Sequence, residues 1–437
     1  MLLSFRVANH RSIRDELRLP LTPVYESERP QGTDWQAVPV VALFGANAAG
    51  KSNVVDALRF MARMVRSSHR DAEPDEGIPR EPFLLDNESV DEPSWYVVDL
   101  LLEGIRYTYG FSIDDHRVLD EWLYSYPKGR KRTIFQRSAD EVQYGDTMPK
   151  RELDLVWSIT EPNALFVSVA ARSMQSVVRP VYDWFRDALT FPIGDTRLLG
   201  RYVSPSLVRI LEDPGQASAI IELLRAADVG IENIGVSRVL VDEDDELPHG
   251  SLRAERNIRR SLGRGDTSKS ARIWFEQRGR AGKIRLGHEH QSEGTRALLA
   301  YAAPVLRMLA SGGLLVVDEI DSSLHPRLTA HLIKLFQHPE SNPHGAQLLL
   351  TTHDVSLLGR SDGEDILRRD QVWFAEKDEN GETSIFPLSD FKPRQEENRE
   401  RRYLGGSYGA VPFLNDERFE AAVAARGRVQ RGEDTEE

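Results

Sequence analysis

The sequence predicts an α/β fold in which a mixed sheet with flanking helices is joined to an antiparallel β subdomain and a mainly helical insertion. Three patterns predict it. From about residue 293 helical and strand-like segments alternate, which is typical of a sheet covered by helices. Between 94 and 137, strand-like runs are separated by Gly or Asp turns. Between about 148 and 230, apolar residues recur at helical spacing.

The N-terminal part of the chain begins with two strand-like segments. Residues 2–10 alternate like a half-buried strand, and 38–45 is an apolar run that ends in a glycine loop. Residues 52–65 are predicted to be a helix, and the polar, proline-containing segment 67–82 is predicted to be a loop.

The C-terminal part is predicted from the same kinds of pattern. Its predicted strands cover 271–277, 282–288, 313–319, 346–353 and 370–377, and its predicted helices cover 293–310 and 323–337. We divide the chain into three predicted domains. They are an N-terminal lobe (1–138), a mainly helical insertion with a polar linker (139–270) and a C-terminal lobe with its tail (271–437).

Composition excludes several classes of protein. The 437 residues carry 56 Lys and Arg against 69 Asp and Glu, a net charge of −13, so the chain is not a basic nucleic-acid coat. It has no cysteine, which excludes disulfides and thiolate metal sites and fits a reducing cytoplasm. Arg6 interrupts the N-terminus too early for a signal peptide. The apolar run 297–310 is too short to cross a bilayer, so we expect a cytoplasmic protein without membrane contact.

The segment GANAAGKS at 45–52 fits the phosphate-loop pattern G-x-x-x-x-G-K-[ST], or Walker A motif. Its backbone N–H groups can cradle phosphates, Lys51 can reach the β- and γ-phosphates of ATP, and Ser52 can bind Mg²⁺. The pattern also occurs in plain glycine-rich turns, but here it follows an apolar strand and precedes a helix, whose N-terminus favours anions. The predicted nucleotide contacts in this segment are Gly45, Asn47, Gly50, Lys51, Ser52 and Asn53.

Two apolar strands that end in polar residues predict the catalytic groups. After LLVV at 314–317, Asp318 is the candidate Mg²⁺ ligand, and Glu319 is the candidate general base for the attacking water. After the next strand, His353 in TTHD is the candidate sensor of the γ-phosphate. Each of these patterns has an ordinary structural explanation when it stands alone. The phosphate loop upstream favours the catalytic interpretation.

A Ser-x-Gly sequence precedes the helix predicted at 293–310. Ser292 is a candidate N-cap of that helix. The chain order of phosphate loop, long insertion, Ser-x-Gly, acidic pair and histidine is also that of an ABC-type P-loop ATPase head. In that arrangement Ser292 and Gly294 face the γ-phosphate of ATP held by a second copy of the chain. No glutamine is assigned to the Q-loop.

Asp321 follows the acidic pair and is open to two interpretations. It is either the N-cap of a helix that begins near Ser323, or part of a loop that crosses a dimer interface and contacts the nucleotide site. His325 and Pro326 are assigned to the helix entrance.

Several sequence runs give the chain a family resemblance. GANAAGKSN at 45–53 is similar to the pattern in the heads of SMC proteins and RecF. Over most of its length the chain more closely resembles AAA ATPases of RloA and AbiLii type, which are encoded in prokaryotic restriction-linked and abortive-infection operons and are related to OLD proteins. The runs that carry this resemblance are FRVANHRSI (5–13), ALFGANAAGKSNVVDAL (42–58), PFLLDNES (82–89), YTYGFSID (107–114), EWLY (121–124), SEGTR (292–296), VVDEIDSSLHP (316–326), LLTTHDVSLL (349–358), LRRDQVWFAEKDENG (367–381), LSDFKPR (388–394) and RRYLGGSYGAVPFL (401–414).

The resemblance implies an ATPase that uses ATP and Mg²⁺, forms a homodimer or higher homo-oligomer through its ATP sites, and acts as sensor or switch for a toxic effector, often a nuclease. OLD-type relatives carry a fused C-terminal nuclease. Only about 80 residues follow TTHD here, without a separate acidic cluster, so the effector is expected to be a separate chain. One departure is Ala48, which stands where SMC-type loops often have glycine.

The sequence does not decide whether the protein binds nucleic acid. A basic cluster in 251–265 and the following hairpin is either a phosphate-binding patch or a solvated surface balanced by the acidic run 242–246. Its members are Arg253, Arg256, Arg259, Arg260, Arg264, Arg278, Arg280, Lys283 and Arg285. The leading hypothesis is a switch ATPase of antiphage defence. The alternatives are a RecF- or SMC-like DNA-repair ATPase that clamps DNA in its ATP-bound dimer, and a scaffold that binds nucleotide with little turnover.

Overall fold

The computed structural model describes most of the chain. The described residues are 1–25, 33, 35–71, 73, 76–173, 175–192, 205–227, 230–240, 269–280, 282–322, 324–361, 363–394, 397–412, 418 and 420–421. The basic cluster predicted in 251–265 lies outside these residues, and so does Ser323. Among the helices of the described residues, none is long and apolar enough to cross a membrane.

An antiparallel sheet forms one layer of the described structure. Seven strands join in the order β2-β1-β4-β5-β6-β7-β8. Two strands, β4 and β5, have the bounds that the sequence runs 94–102 and 105–113 predict, so this part of the prediction is confirmed. The strands are β1 (Leu2–Ala8), β2 (Leu17–Pro20), β4 (Ser94–Leu102), β5 (Ile105–Ile113), β6 (Val118–Tyr126), β7 (Arg132–Ser138) and β8 (Glu141–Tyr144).

A mixed sheet forms the central layer, in the order β18-β17-β3-β14-β13-β9. Neighbouring strands run parallel except at the edge, where β18 pairs antiparallel to β17. The predicted fold class, an α/β protein in which a mixed sheet is joined to an antiparallel β subdomain, is confirmed. The strands are β3 (Val40–Phe44), β9 (Leu189–Thr190), β13 (Leu314–Val317), β14 (Gln347–Thr351), β17 (Val372–Lys377) and β18 (Thr383–Pro387).

The central strands are buried on both faces because the mixed sheet lies between two hydrophobic cores. In β3, Val41 and Leu43 point into the core shared with the antiparallel sheet. The alternate residues Val40, Ala42 and Phe44 point into the second core. Strands β13 and β14 divide their side chains between the two cores in the same way. This two-sided burial explains why the sequence of these strands is an unbroken apolar run.

Helices cover both faces of the mixed sheet. The first helix, α1, runs from Lys51 to Asp71, so the loop that the sequence predicts from residue 67 is wrong in its first five residues. Apolar and small side chains continue to Ser68 on the buried face of α1, where Ser68 accepts a hydrogen bond from the backbone N–H of Leu165. The other helices are α2 (Asn87–Asp91), α3 (Lys150–Trp157), α4 (Phe166–Arg172), α5 (Arg179–Asp183), α6 (Pro205–Glu212), α7 (Pro214–Ala226), α8 (Glu293–Ser311), α9 (Pro326–Gln337) and α10 (Arg399–Leu404).

Smaller elements complete the described structure. A three-stranded antiparallel sheet, in the order β10-β11-β12, packs against the second core. Its strands are β10 (Ile231–Leu240), β11 (Lys269–Gly279) and β12 (Gly282–Gly287), and the short hairpin β15 (Arg360–Ser361) with β16 (Glu364–Asp365) follows later in the chain. The domain boundary after residue 138 stays a prediction, and β7 pairs with β8 across it.

The caps of α8 and α9 decide two of the sequence interpretations. The Ser292 hydroxyl accepts a hydrogen bond from the Thr295 N–H at 3.1 Å, so Ser292 is the N-cap of α8. Helix α9 begins at Pro326, and the His325 ring caps it by accepting from the Arg327 N–H at 3.2 Å. The interpretation of Asp321 as the cap of this helix is therefore wrong, because the chain makes a 3₁₀ turn at Ile320–Ser322 before the helix starts.

A buried ion pair joins the antiparallel sheet to α4. The Glu121 carboxylate, on β6, is fully buried and accepts hydrogen bonds from the N–H groups of Phe166 (2.6 Å) and Val167 (2.9 Å) at the start of α4. It also accepts from the Tyr109 hydroxyl at 3.1 Å, and the Arg137 guanidinium lies 3.9 Å away. Burial raises the pKa of Glu121, while Arg137 and these donors oppose that shift. A side chain from another element thus caps α4, whose own N-cap residue is a leucine.

Replacing Glu121 should destabilise this junction in a graded way. Glu121→Leu leaves two helix N–H groups without an acceptor and Arg137 without its carboxylate, so we expect a loss of about 3–5 kcal/mol of unfolding free energy. Glu121→Gln keeps one acceptor oxygen and should lose less, about 1–3 kcal/mol. Equilibrium urea unfolding measures both variants. Wild-type stability of Glu121→Leu would show that the carboxylate does not hold α4.

Candidate nucleotide-binding site

A cavity of about 450 Å³ lies at the carboxyl ends of the central parallel strands. The loops that follow β3, β13 and β14 and the end of β17 form its walls. The carboxyl ends of neighbouring parallel strands lie at the same edge of a sheet. Residues that follow different strands, far apart in sequence, therefore meet here. The cavity is lined by Asn47, Ala48, Ala49, Gly50, Lys51, Ser52, Asn53, Glu319, His353 and Lys377.

Two glycines allow the phosphate loop to pack against its neighbours. A Cβ atom on Gly45 would lie 2.4 Å from the Ala375 carbonyl oxygen, and one on Gly50 would lie 2.0 Å from Thr383 Oγ1. Both distances are too short for any side chain, and Gly50 also has a φ of +97°. The loop therefore needs glycine at both positions for steric reasons, independent of any ligand.

Ala48 adopts a backbone conformation that favours glycine. Its φ is +63°, in the left-handed region, where a side chain costs roughly 1–2 kcal/mol relative to the right-handed region. The sequence predicts that alanine makes this loop stiffer, and the positive φ gives the physical reason why SMC-type loops often have glycine there.

The ammonium group of Lys51 lies over the loop. Its Nζ donates to the carbonyl oxygens of Gly45 (2.8 Å) and Ala46 (3.0 Å) and lies 3.5 Å from His353 Nδ1. Burial lowers the pKa of Lys51, and the nearby carboxylates of Glu319, Asp321 and Asp318 oppose that shift. A cation whose hydrogen-bond acceptors are neutral carbonyls gains free energy when an anionic phosphate replaces them.

Asp318 and Glu319 are held together by one hydroxyl group from the neighbouring strand. Thr351 Oγ1 donates to Asp318 Oδ1 at 2.6 Å and accepts from the Glu319 N–H at 2.7 Å. Ser52 Oγ donates to the same Asp318 oxygen at 3.1 Å. Glu319 has a φ of +50°, and strained backbone of this kind occurs at functional sites. The arrangement leaves the Glu319 side chain exposed to the cavity while its backbone is fixed.

His353 and Asp321 are brought together at the same edge. The Asp321 carboxylate accepts a hydrogen bond from the His353 N–H, with both oxygens 3.2 Å from that nitrogen. Asp321 therefore fixes the backbone of the loop that presents the imidazole. It does not line the cavity, in contrast to His353.

Ser292 and Gly294 are not among the residues that line this cavity. Ser292 is exposed to solvent at the start of α8, and Gly294 is partly exposed. Just before them, His288 is buried, and burial lowers the pKa of its imidazole to about 4. Within one chain the structure thus unites the residues of the phosphate loop, the acidic pair and His353, and it leaves the Ser-x-Gly sequence on the surface.

Several residues of the site could not be found from sequence motifs. Ser12 Oγ accepts from Asn53 Nδ2 at 2.5 Å and lies 2.7 Å from Thr383 Oγ1, which donates to the Ala49 carbonyl at 3.0 Å. These hydroxyls, one from the turn after β1 and one from the start of β18, brace the phosphate loop. Lys377 adds a second cation to the cavity. Among these supporting residues and Thr351, only Thr351 belongs to a sequence motif, as the first residue of TTHD.

The hydroxyl of Thr351 gives a direct test of this geometry. Thr351→Val keeps the shape of the side chain but removes both hydrogen bonds, so Asp318 and Glu319 lose their common support. Since small displacements of catalytic groups are costly, we expect the ATP turnover that the sequence predicts for Asp318 and Glu319 to fall roughly tenfold to a hundredfold. Thr351→Ser retains the hydroxyl and is the matched control, with turnover expected near that of wild type. Equal turnover in the valine variant would show that this bridge does not position the acidic pair.

Comparison with known proteins gives one family match. The family described as AAA domain, putative AbiEii toxin, Type IV TA system matches residues 40–156 and 170–359. These ranges contain the phosphate loop, the acidic pair, Asp321 and His353. No curated protein matches the chain.

Solved structures similar to this chain include three SMC heads. The SmcHead bound to the C-winged helix domain of ScpA is 14% identical with a TM-score of 0.46, and the match covers 90% of this chain and 99% of that one. The Smc head with an extended coiled coil, bound to the C-terminal domain of ScpA and derived from Pyrococcus furiosus, is 13% identical with a TM-score of 0.43. That match covers 90% of this chain and 97% of the other. The SMC head domain from Thermotoga maritima is 12% identical with a TM-score of 0.39, and the match covers 88% of this chain and 98% of that one. TM-scores below 0.5 support no conclusion about function.

The family match covers well over half of the 437 residues and includes every motif that converges on the cavity. The chain belongs to the family of AAA domains described as putative AbiEii toxin, Type IV TA system.

Proposed function

We propose that this protein binds and hydrolyses ATP and acts as the sensor or switch of a prokaryotic antiphage defence system. The observation that carries the proposal is the convergence of Lys51, Ser52, Glu319 and His353 on one cavity from loops after separate strands, with Asp318 hydrogen-bonded to Ser52. A cation over a glycine loop, beside a fixed acidic pair, is the arrangement that phosphoryl transfer to water requires.

The donor set fits a magnesium ion. Ser52 Oγ and Asp318 Oδ1 are oxygen atoms of the kind that Mg²⁺ prefers, and they lie 3.1 Å apart. These two residues would hold Mg²⁺, whose charge would offset that of the β- and γ-phosphates. Mg²⁺ needs few protein ligands because the nucleotide and water supply the others.

The chain's own groups account for the remaining steps. Backbone N–H groups of the loop from Gly45 to Asn53 bind the phosphates, and Lys51 moves from its carbonyl acceptors to the β- and γ-phosphate oxygens. Glu319 accepts the proton of the water that attacks the γ-phosphorus, while the bond to the ADP oxygen breaks. His353 donates a hydrogen bond to the γ-phosphate in this proposal.

A second copy of the chain completes the site. Ser292 and Gly294 are exposed and lie off the cavity of their own chain, which supports a role for them opposite the γ-phosphate of a partner protomer. The exposed N–H groups at the start of α8 suit an anion. Two protomers thus enclose two ATP molecules in a homodimer, or in a higher homo-oligomer built from it, and Asp321 lies in the loop between the sites.

We also propose that the chain belongs to the narrower group of RloA- and AbiLii-type ATPases. That group implies a cytoplasmic switch that controls a separately encoded effector, a nuclease in many cases. The family description names a toxin of a Type IV toxin–antitoxin system, which supports a role in defence.

The RecF- or SMC-like DNA clamp remains the alternative function. The hairpin of β11 and β12 carries exposed cations, but Arg278 and Lys283 pair with Glu232 at 2.7 and 3.0 Å. Lys283 and Arg285 also pair with Glu276. Ion pairs of this kind support the interpretation of the hairpin as a solvated surface. Strong, salt-sensitive DNA binding that depends on ATP would favour the clamp instead.

Removing the proposed base tests the enzymatic part of the proposal. We expect Glu319→Gln to bind ATP but to hydrolyse it at least roughly a hundredfold more slowly, because the amide cannot accept the proton from water. Steady-state phosphate release and equilibrium binding of a fluorescent ATP analogue measure the two properties. Glu340→Gln, an exposed site beyond the opposite end of α9, is the matched control. Wild-type turnover of Glu319→Gln would refute the assignment of Glu319, and lack of turnover in wild type would favour the scaffold hypothesis.

A further inference from the structure

Two adjacent leucines are exposed on a tightly held loop. Leu84 and Leu85 are each 72% exposed. The residue before them is anchored, since the Phe83 N–H donates to Asn9 Oδ1 at 2.8 Å and the Phe83 side chain is buried. The residue after them, Asp86, pairs with Arg14 at 2.8 Å. A fixed loop that presents two large apolar side chains to solvent is typical of an interaction site.

The leucine pair lies beside a hairpin that borders the nucleotide cavity. Leu85 packs over Gly381 at the tip of the β17–β18 hairpin, where a Cβ atom on the glycine would lie 2.3 Å from Leu85 Cδ1. One arm of this hairpin ends in Lys377, which lines the cavity. The other begins with Thr383, which donates to the phosphate loop. One hairpin thus contacts the leucine pair, the cavity and the phosphate loop.

A second exposed apolar side chain lies beside the Ser-x-Gly sequence. Ile284, on β12, is 47% exposed and packs over Gly279. It is paired in register with Gln277, and Gln277 Nε2 donates to Gln291 Oε1 at 3.0 Å. Gln291 directly precedes Ser292, so Ile284 flanks the half of the composite site that a partner protomer provides.

The two surfaces have opposite charge. The leucine loop (residues 81–86) carries Glu81 and Asp86, and the helix α2 that follows it adds Glu88, Asp91 and, at its C-cap, Glu92. Of these, Glu88, Asp91 and Glu92 form no ion pair within the described part of the chain. The hairpin around Ile284 carries Arg278, Arg280, Lys283 and Arg285. Within the described residues their ion-pair partners are the two carboxylates of Glu232 and Glu276, so these pairs leave an excess of positive charge on the hairpin. Complementary charge favours contact between these surfaces and disfavours contact of either with itself.

We propose that Leu84 and Leu85 of one protomer pack against the β11–β12 hairpin at Ile284 of a second copy when ATP is bound. The inference rests on the proposed function, because the second copy must present its Ser292 to the phosphate loop. Two-fold symmetry then forms the contact twice, once at each ATP site. The leucine contact makes closure of the dimer depend on loops outside the nucleotide motifs, and it adds apolar area beside each nucleotide.

The absence of cysteine from the sequence allows a clean cross-linking test. Leu85→Cys and Ile284→Cys are made separately, each in the Glu319→Gln background that retains ATP, then mixed and oxidised. We expect a disulfide-linked dimer only in the mixture and only with ATP and Mg²⁺, not with ADP. Leu155→Cys, an equally exposed site on α3, replaces Leu85→Cys in the control mixture and should give no product.

A second measurement covers the case in which the cysteines do not meet in a reactive geometry. We expect the double change Leu84→Ser and Leu85→Ser to raise the dissociation constant of the ATP-bound dimer at least tenfold, without changing ATP affinity of the monomer. Leu155→Ser is the matched control. Analytical ultracentrifugation with and without ATP gives the dissociation constant.

The outcomes separate this inference from the function on which it rests. An ATP-dependent dimer that gives no mixed cross-link and is unaffected by the leucine substitutions would overturn the inference and leave the proposed function intact. A cross-link in Leu85→Cys alone would also overturn it, because the leucine loops would then face each other. If wild type forms no ATP-dependent dimer, the composite site and this contact are both refuted.

Discussion

The burial of β3, β13 and β14 on both faces is the constraint on which the site depends. Each strand divides its side chains between two hydrophobic cores. Sliding one strand by a residue would exchange all of its side chains between the two cores. The register is therefore fixed, and with it the positions of the phosphate loop, Asp318 and Thr351, which directly follow or end these strands. Packing far from the cavity thus sets the distances within it.

The polar contacts at this edge extend the same constraint to the reactive groups. Thr351 carries a single hydroxyl that supports both Asp318 and the backbone of Glu319. Ser12 and Thr383 support the phosphate loop from two other elements. Because every one of these supports comes from outside the motif that it holds, side chains of the chain itself fix the motifs relative to one another.

Much of the fold and of the site could be predicted from the sequence. Strand bounds in 94–113 follow from alternation and turn residues, and the phosphate loop, acidic pair and His353 follow from motifs at strand ends. The contacts of Thr383 and Ser12 could not, since they join residues 371 positions apart and no local pattern encodes such a pair. The sequence leaves the role of Asp321 undecided because a carboxylate near the start of a helix resembles an N-cap residue. Only the chain path through the 3₁₀ turn shows that it bonds to His353 instead.

The central claim is that Ser292 acts on the nucleotide of another protomer, and complementation between two inactive variants tests it most directly. Lys51→Ala removes the lysine that we propose binds the phosphates, and Ser292→Arg blocks the Ser-x-Gly surface. In a composite dimer, a mixed pair contains one intact site, made from Lys51 of one chain and Ser292 of the other. Half of the dimers in an equal mixture are mixed pairs and each has one of two sites intact, so turnover should recover to about a quarter of wild type. A mixture as inactive as either variant, or full activity of Ser292→Arg alone, would contradict the claim.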